Sequence, residues 1–360
     1  MSLLLTTDQG WLISHLNYLH DIYNNVDNND QTLEMKFDYR FFAINSPFLR
    51  QNQVSKLNNK TSAENKRIRK KKSANISSIK LDEIQFIRYS LKKMISKAIE
   101  QNLFSHEVMN DYNKEAREVS SKFYETPYDF CQLHGSNQLE RNLIAKINSV
   151  EFLFPKKCCF YADDIKNIPK KLTMTNQFNF ILMDPPWYNK FVKRNKKQKY
   201  NMMNDEMLCT IPINKLLSSN GIIALWCTNA DSHLKFILNV VFPQWKVKFI
   251  GKWFWVKVTQ LGTPICEFND KLGKQPYELL IFGSLIESCT KVPDKKLLVS
   301  VPSAIHSHKP PIIEVMEPYL PPEPNCLEIF ARYLLPNWTS WGLEVLKLQQ
   351  ASFYNIDSND

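Results

Sequence analysis

The run Ile181-Leu182-Met183-Asp184-Pro185-Pro186-Trp187 is the segment of this chain best suited to chemistry. A strand-like apolar stretch ends in an acid, two prolines that cannot continue a sheet, and an aromatic residue. Ligands of open α/β sheets bind outside the carboxyl ends of the strands, so a site belongs here. The exocyclic amine of adenine is a poor nucleophile, because its lone pair is delocalised into the ring. The Asp184 carboxylate and a proline carbonyl are both acceptors and can hold its two N–H bonds. That aims the lone pair out of plane toward an incoming methyl group, and consecutive prolines preorganise the acceptors. Trp187 or Tyr188 offers a face on which a base can stack, worth about 1–3 kcal/mol. Asp-Pro-Pro alone is also an ordinary way to end a strand; the strand before it and the aromatic after it favour a site.

Lys190, Lys193, Arg194, Lys196, Lys197 and Lys199 follow directly, with no acid among them. A basic run is most often a solvated loop. Beside a candidate site it is expected to grip phosphates while Trp187, Tyr188, Phe191 and Tyr200 stack bases. Such contacts make binding salt-dependent and do not separate RNA from DNA. A second basic run, Lys66 to Lys72, lies in a polar stretch over 51–80. It reads as a disordered linker and equally as a nuclear-localisation or nucleic-acid patch. The balance of 46 Lys+Arg against 36 Asp+Glu, 46 − 36 = +10, favours an anionic partner.

These residues need a scaffold. From about residue 150, short apolar runs alternate with amphipathic stretches, the pattern of an α/β sheet. Strands are expected at Phe178–Met183, 222–226, 247–250, 253–258, 279–282 and 327–330. Helices are expected around Leu234–Val241, closed by Pro243, and Ile312–Tyr319. Before residue 150 the chain reads as an N-terminal region (1–50), the linker (51–80) and a helical middle region (81–150). Trp11, Leu12, Leu16, Leu19 and Ile22 recur at helical spacing, as do Ile84, Ile87, Leu91, Met94, Ile95 and Ile99. The eight glycines of 360 residues are nowhere closer than ten apart. That spacing excludes G-x-G-x-x-G, the Walker loop and G-x-S-x-G. Eight cysteines without C-x-x-C read as reduced thiols, and no metal site is expected, His306 and His308 included. No membrane-spanning run or signal peptide is legible, so a nuclear or cytosolic protein is expected.

The Asp-Pro-Pro-Trp tetrapeptide resembles that of the MT-A70 family of adenine-N6 methyltransferases. The resemblance covers about residues 150–350, through Tyr188-Asn-Lys190, Ser300-Val-Pro302, His306-Ser-His-Lys-Pro-Pro311, Phe330-Ala-Arg332 and Trp338-Thr-Ser-Trp-Gly342. It implies a Rossmann-like class I methyltransferase fold behind a smaller, mainly helical N-terminal region, with S-adenosylmethionine as cofactor. Asp184, with Pro185, Pro186 and Trp187, would be catalytic, and Asp184 would also lie near the cofactor. Asp163 or Asp164, with Ile165, would meet the cofactor's adenine, and Lys309 its carboxylate. Arg332 would stand where other methyltransferases carry a glycine-rich loop. Lys257 and Glu278 would line the substrate adenosine pocket. By the same resemblance the substrate would be an internal 2′-O-methyladenosine of U2 small nuclear RNA, methylated by a monomer. Rival readings are adenine in DNA and a non-catalytic nucleic-acid-binding subunit, against which the intact tetrapeptide argues. The chain departs from the family at Tyr333 and Leu343, where asparagines usually hold the cofactor ribose; Asn337 and Glu344 are the candidates to compensate.

Overall fold

The computed structural model describes the chain except residues 29–30, 49–77, 106–112, 127, 173–177, 188–205, 271–273 and 357–360. Among the described residues, eleven strands form one large sheet. In chain order they are β1 (Leu3–Thr7), β2 (Gly10–Ile13), β3 (His134–Asn137), β4 (Cys158–Tyr161), β5 (Phe178–Met183), β6 (Leu217–Cys227), β7 (Val247–Lys257), β8 (Tyr277–Leu285), β9 (Lys296–Ser300), β10 (Cys326–Ile329) and β11 (Trp338–Trp341). Across the sheet they run β1-β2-β9-β7-β8-β6-β5-β10-β11-β4-β3. Strands β6, β5, β10, β11 and β4 are mutually parallel. Strand β8 runs against β6 and β7, and β9 lies parallel to β7.

Strand β5 is buried along its length except at Asn179, as expected of a central parallel strand covered on both faces. Its alternating side chains enter different cores. Ile181 and Met183 pack with Ile84, Ile87, Leu91, Met94 and Ala98 of helix α2 (Ser78–Glu100). Phe180 and Leu182 pack on the other face with Leu19 and Ile22 of helix α1 (His15–Ile22), Phe37, Phe41 and Phe42. The α/β class is therefore present. Residues before 150 supply α1, α2 and α3 (Lys114–Glu125), together with strands that the periodicity does not show.

Several local expectations are corrected. Trp11 and Leu12 belong to β2, and only Leu16, Leu19 and Ile22 are helical. Strand β2 pairs with β9 through Gly10, whose φ of +145° and lack of a Cβ let it sit against Leu297; an added Cβ would lie 1.9 Å from the Leu297 carbonyl oxygen. Residues 3–13 thus extend the large sheet. Ile99 is exposed, one position past the buried stripe that ends at Ala98. The expected strands 247–250 and 253–258 are one strand with a register shift at Gly251. Pro243 does not close the helix after Asp231: a π-helical turn, Ile237–Val241, leads into Phe242–Gln244. The basic run 66–72 lies outside the described residues.

On the α1 face, His15 and His308 stack edge-on with ring centroids 4.3 Å apart, among Phe37, Phe42 and Tyr333. Burial drives both imidazoles toward the neutral form, His308 to about 3 and His15 well below its ordinary value. Above pH 6.5 folded and unfolded chains both hold them neutral, and folding carries no penalty. Below it the unfolded chain gains protons that the folded chain refuses. Stability is therefore expected to fall as pH drops from 6.5 toward 3, by about 1.4 kcal/mol per pH unit for each histidine. Urea unfolding at stepped pH checks this: His308→Leu should flatten part of the slope, and an unchanged slope would refute the assignment.

Candidate active site

The parallel strands end on one edge of the sheet, and antiparallel β8 begins there. That single fact gathers Asp163 after β4, Asp184 after β5, Lys257 at the end of β7, Glu278 at the start of β8, Arg332 after β10 and Glu344 after β11. Lys309 arrives on the loop that follows β9. The backbone before it turns through Ser307, whose φ is +57°, a left-handed conformation seldom taken by residues other than glycine.

Asp184, Lys257, Glu278 and Lys309 form one charge network. Both lysines contact Glu278, Lys257 through Oε1 and Lys309 through Oε2. The Lys309 ammonium is also 3.6 Å from Asp184 Oδ1. It lies 5.6 Å from each of the Trp226 and Trp255 ring centroids, and Lys257 lies 4.3 Å from that of Trp255. Burial would push the Glu278 carboxyl up, but the two ammoniums outweigh it and hold the group well below the usual carboxylate range. Burial lowers the Lys309 value, yet Asp184 and Glu278 reverse this and keep the lysine charged. Lys257 is pushed down, chiefly by burial. Asp184 behaves differently. Burial raises its affinity for a proton, the Glu278 charge adds to this, and Lys309 opposes it.

The tetrapeptide is held from two sides. The Trp187 indole N–H donates to the Trp226 carbonyl at 2.8 Å, and its amide to the Pro185 carbonyl at 2.7 Å. One face of the Trp187 ring is covered by His233, with centroids 4.9 Å apart and planes 21° from parallel. The His233 ring is in turn fixed by Thr228, Nδ1 to Oγ1 at 2.7 Å. Trp187 can therefore offer a base only its other face. Tyr188, Lys193, Arg194, Lys196 and Lys197 lie outside the described residues.

Apart from Asp184 and Lys309, the residues expected to hold a cofactor divide into three groups. Asp163 is committed to its own loop: Oδ1 accepts from the Asp164 amide and from Asn167, and Oδ2 pairs with Lys171 at 2.6 Å. Against the cost of burial, these partners hold its carboxyl below the ordinary value. Asp164 caps the short turn Ile165–Asn167, in which Ile165 is buried. Arg332 and Glu344 pair at 3.0 Å, and Glu344 pairs again with Lys347 at 2.7 Å. Asn337 is a correction. The chain returns across the sheet between Ile329 and Trp338, so Asn337 stands at the amino end of β11, on the opposite edge, where its amide donates to the Lys156 carbonyl. It is not positioned to compensate for Leu343, which is itself 44% exposed.

The β10 and β11 loops meet at Gly342. A Cβ there would lie 2.5 Å from the Ala331 carbonyl oxygen and 2.9 Å from its nitrogen, both backbone atoms that cannot step aside. Gly342→Ala is expected to cost about 1–3 kcal/mol and to loosen the Arg332–Glu344 pair. Unfolding by urea checks the first effect; a variant as stable as the parent would overturn it.

Sequence reasoning misses several residues. His233 is hidden because its relation to Trp187 depends on how the helix after β6 packs. Lys171 and Lys347 look like surface charges. Glu328 of β10 is buried, with its carboxyl pushed up to about 8 by burial and then by Asp184. A single acid inside the strand Cys326–Ile329 is the available signal.

Residues 178–344 match the MT-A70 family. The chain is 40% identical over 215 residues to the human N(6)-adenine-specific methyltransferase METTL4, covering 57% of this chain and 45% of that protein. It is 32% identical over 210 residues to a Caenorhabditis elegans DNA N6-methyl methyltransferase, covering 58% and 56%. It is 35% identical over 185 residues to the N6-methyladenosine RNA methyltransferase MTA1 of Pyricularia oryzae, covering 49% of each chain. The chain thus spans about half the length of the curated relatives it matches.

Proposed function

From the premise that residues 178–344 form an MT-A70 domain, we propose that this protein transfers a methyl group from S-adenosylmethionine to N6 of adenine in a polynucleotide. The observation that carries the reading is Asp184 at the carboxyl end of β5, its side chain only 13% exposed and raised in proton affinity, beside the Lys309–Glu278–Lys257 network. The donor set fits the cofactor: the Lys309 ammonium suits a carboxylate, Asp184 suits a neighbouring cation, and the Asp164–Ile165 turn suits an adenine edge. When bound, the cofactor would supply the electrophilic methyl group, whose bond to sulfur breaks to leave the neutral thioether.

The protein's own part is orientation and proton handling. Asp184 accepts one N–H bond of the adenine amine. A proline carbonyl of the turn, Pro185 or Pro186, is the second acceptor in this reading; the Pro185 carbonyl also takes the Trp187 amide and keeps a second lone pair. As the N6–carbon bond forms, the amine's surplus proton passes to Asp184. Its raised proton affinity matches that task better than an exposed carboxylate would. Trp187, braced by His233, supplies the stacking wall, while Lys257 and Glu278 line the adenosine side.

Within the class, we take RNA as the substrate, specifically an internal 2′-O-methyladenosine of U2 small nuclear RNA, giving N6,2′-O-dimethyladenosine in the nucleus by a monomeric enzyme. DNA is the second reading, favoured by the name of the nematode relative. Nucleoside mass spectrometry after incubation with matched RNA and DNA oligonucleotides, with and without the ribose methyl, tests both. N6-methylated product only from the 2′-O-methylated RNA supports the first reading, and product from DNA alone supports the second. No product from any polymer rejects the activity.

A further inference from the structure

Tyr333 stands where the resemblance leads one to expect an asparagine facing the cofactor ribose, yet its side chain points elsewhere. It is only 3% exposed. Its hydroxyl donates to the Lys309 carbonyl at 3.1 Å, and its ring meets the His308 ring edge-on, with centroids 5.4 Å apart. The same loop is held at its other end. The His306 amide donates to the Tyr124 hydroxyl at 2.7 Å, and Arg332 donates to the His306 carbonyl at 2.6 Å. Between these anchors lies Ser307 in its left-handed conformation.

We propose that Tyr333 is a positioning residue for the methyl donor, acting from behind the site by pinning the backbone of Lys309. The inference rests on the methyl-donor reading above. A left-handed serine next to a loop that carries a buried lysine is costly to hold, so the segment needs fixed points on both sides. Arg332 and Tyr124 supply one at His306; Tyr333 supplies the other at Lys309 itself. A lysine attracts a carboxylate as a point charge, so its effect depends on where the backbone places the ammonium. The buried hydroxyl cannot touch a ligand, and any influence it has must pass through Lys309.

Two ligands separate this from a purely structural role. S-adenosylhomocysteine carries the amino-acid carboxylate, whereas 5′-methylthioadenosine keeps the nucleoside and lacks it. Tyr333→Phe removes only the hydroxyl and is expected to weaken S-adenosylhomocysteine by about three- to tenfold in calorimetry. Affinity for methylthioadenosine should stay as in the parent, and the melting temperature should fall by no more than a few degrees, the cost of one buried hydrogen bond. In a Lys309→Met background the same change should have no further effect. Equal loss for both ligands, loss of neither, or an undiminished effect without Lys309 would overturn the proposal. A parent protein that binds neither ligand would instead overturn the methyl-donor reading, and this inference with it.

Discussion

On the proposed reading, Asp184→Asn is expected to lower methyl transfer to a polynucleotide by about a thousandfold or more, while oligonucleotide affinity stays within about threefold of the parent. The amide keeps the size of the carboxylate 3.6 Å from Lys309. It loses the negative charge, and it cannot take the proton released from the adenine amine. In the proposed reading the polymer is held mainly by phosphate contacts elsewhere, so its binding should survive the change. The pH profile adds a second check. Burial, with Glu278, sets the Asp184 value above that of a free carboxylate, so activity should fall on the acid side as pH drops through that raised value. A tritiated-methyl assay reads the first effect; turnover retained in the variant would sink the role of Asp184. Loss of oligonucleotide binding in parallel would place the residue in recognition instead.

Glu278→Gln should be the most destabilising of the conservative changes at the site. It leaves the buried Lys309 and the largely covered Lys257 side by side with no carboxylate between them. Breaking a largely buried ion pair from one side costs up to about 3–5 kcal/mol, because Lys257 loses its carboxylate and Lys309 keeps only Asp184. The folded Glu278 carboxyl is held well below its ordinary value. The stability it contributes is therefore fully present above its unfolded value of about 4.3 and is lost progressively as pH falls from there through the folded one. At neutral pH the whole effect should appear in urea unfolding. Affinity for S-adenosylhomocysteine should fall as well, because Lys309 loses one of the two carboxylates that hold it in place. A Glu278→Gln protein with the parent's unfolding midpoint would show that the lysines find other partners, and would remove Glu278 from its central place.

Much of this arrangement is legible in the order of the residues. The apolar run 178–183 is short, uniformly hydrophobic and ends in an acid and two prolines, and the strand ends where those residues require. The stripe of Ile84, Ile87, Leu91 and Met94 marks one face of α2 for the same reason: its period matches the helix. Pattern misleads where two elements share it or where partners are remote. Trp11 and Leu12 continue a helical spacing into a strand, because β2 is four residues long and its pairing with β9 lies nearly 300 residues away. Nearness in sequence groups Asn337 with Arg332, but the short return between β10 and β11 carries it to the other edge of the sheet.

The sequence alone determined the chemistry of the turn. Asp184 beside two prolines and an indole is a local statement, made by covalent order and by what proline forbids. It also determined that any nucleotide-like cofactor must be held without a glycine-rich loop. Tertiary structure decided which charges would meet. Lys257, Glu278 and Lys309 are spread over some fifty residues, and no spacing rule shows that both lysines close on one carboxylate beside Asp184. Nor does it show that His233 closes one face of Trp187, or that Tyr333 turns from the ribose side to the back of Lys309. The reason is physical. Hydrophobic periodicity and backbone chemistry act over a few residues, whereas the field at a buried charge is set by whatever the packed sheet brings within a few ångströms.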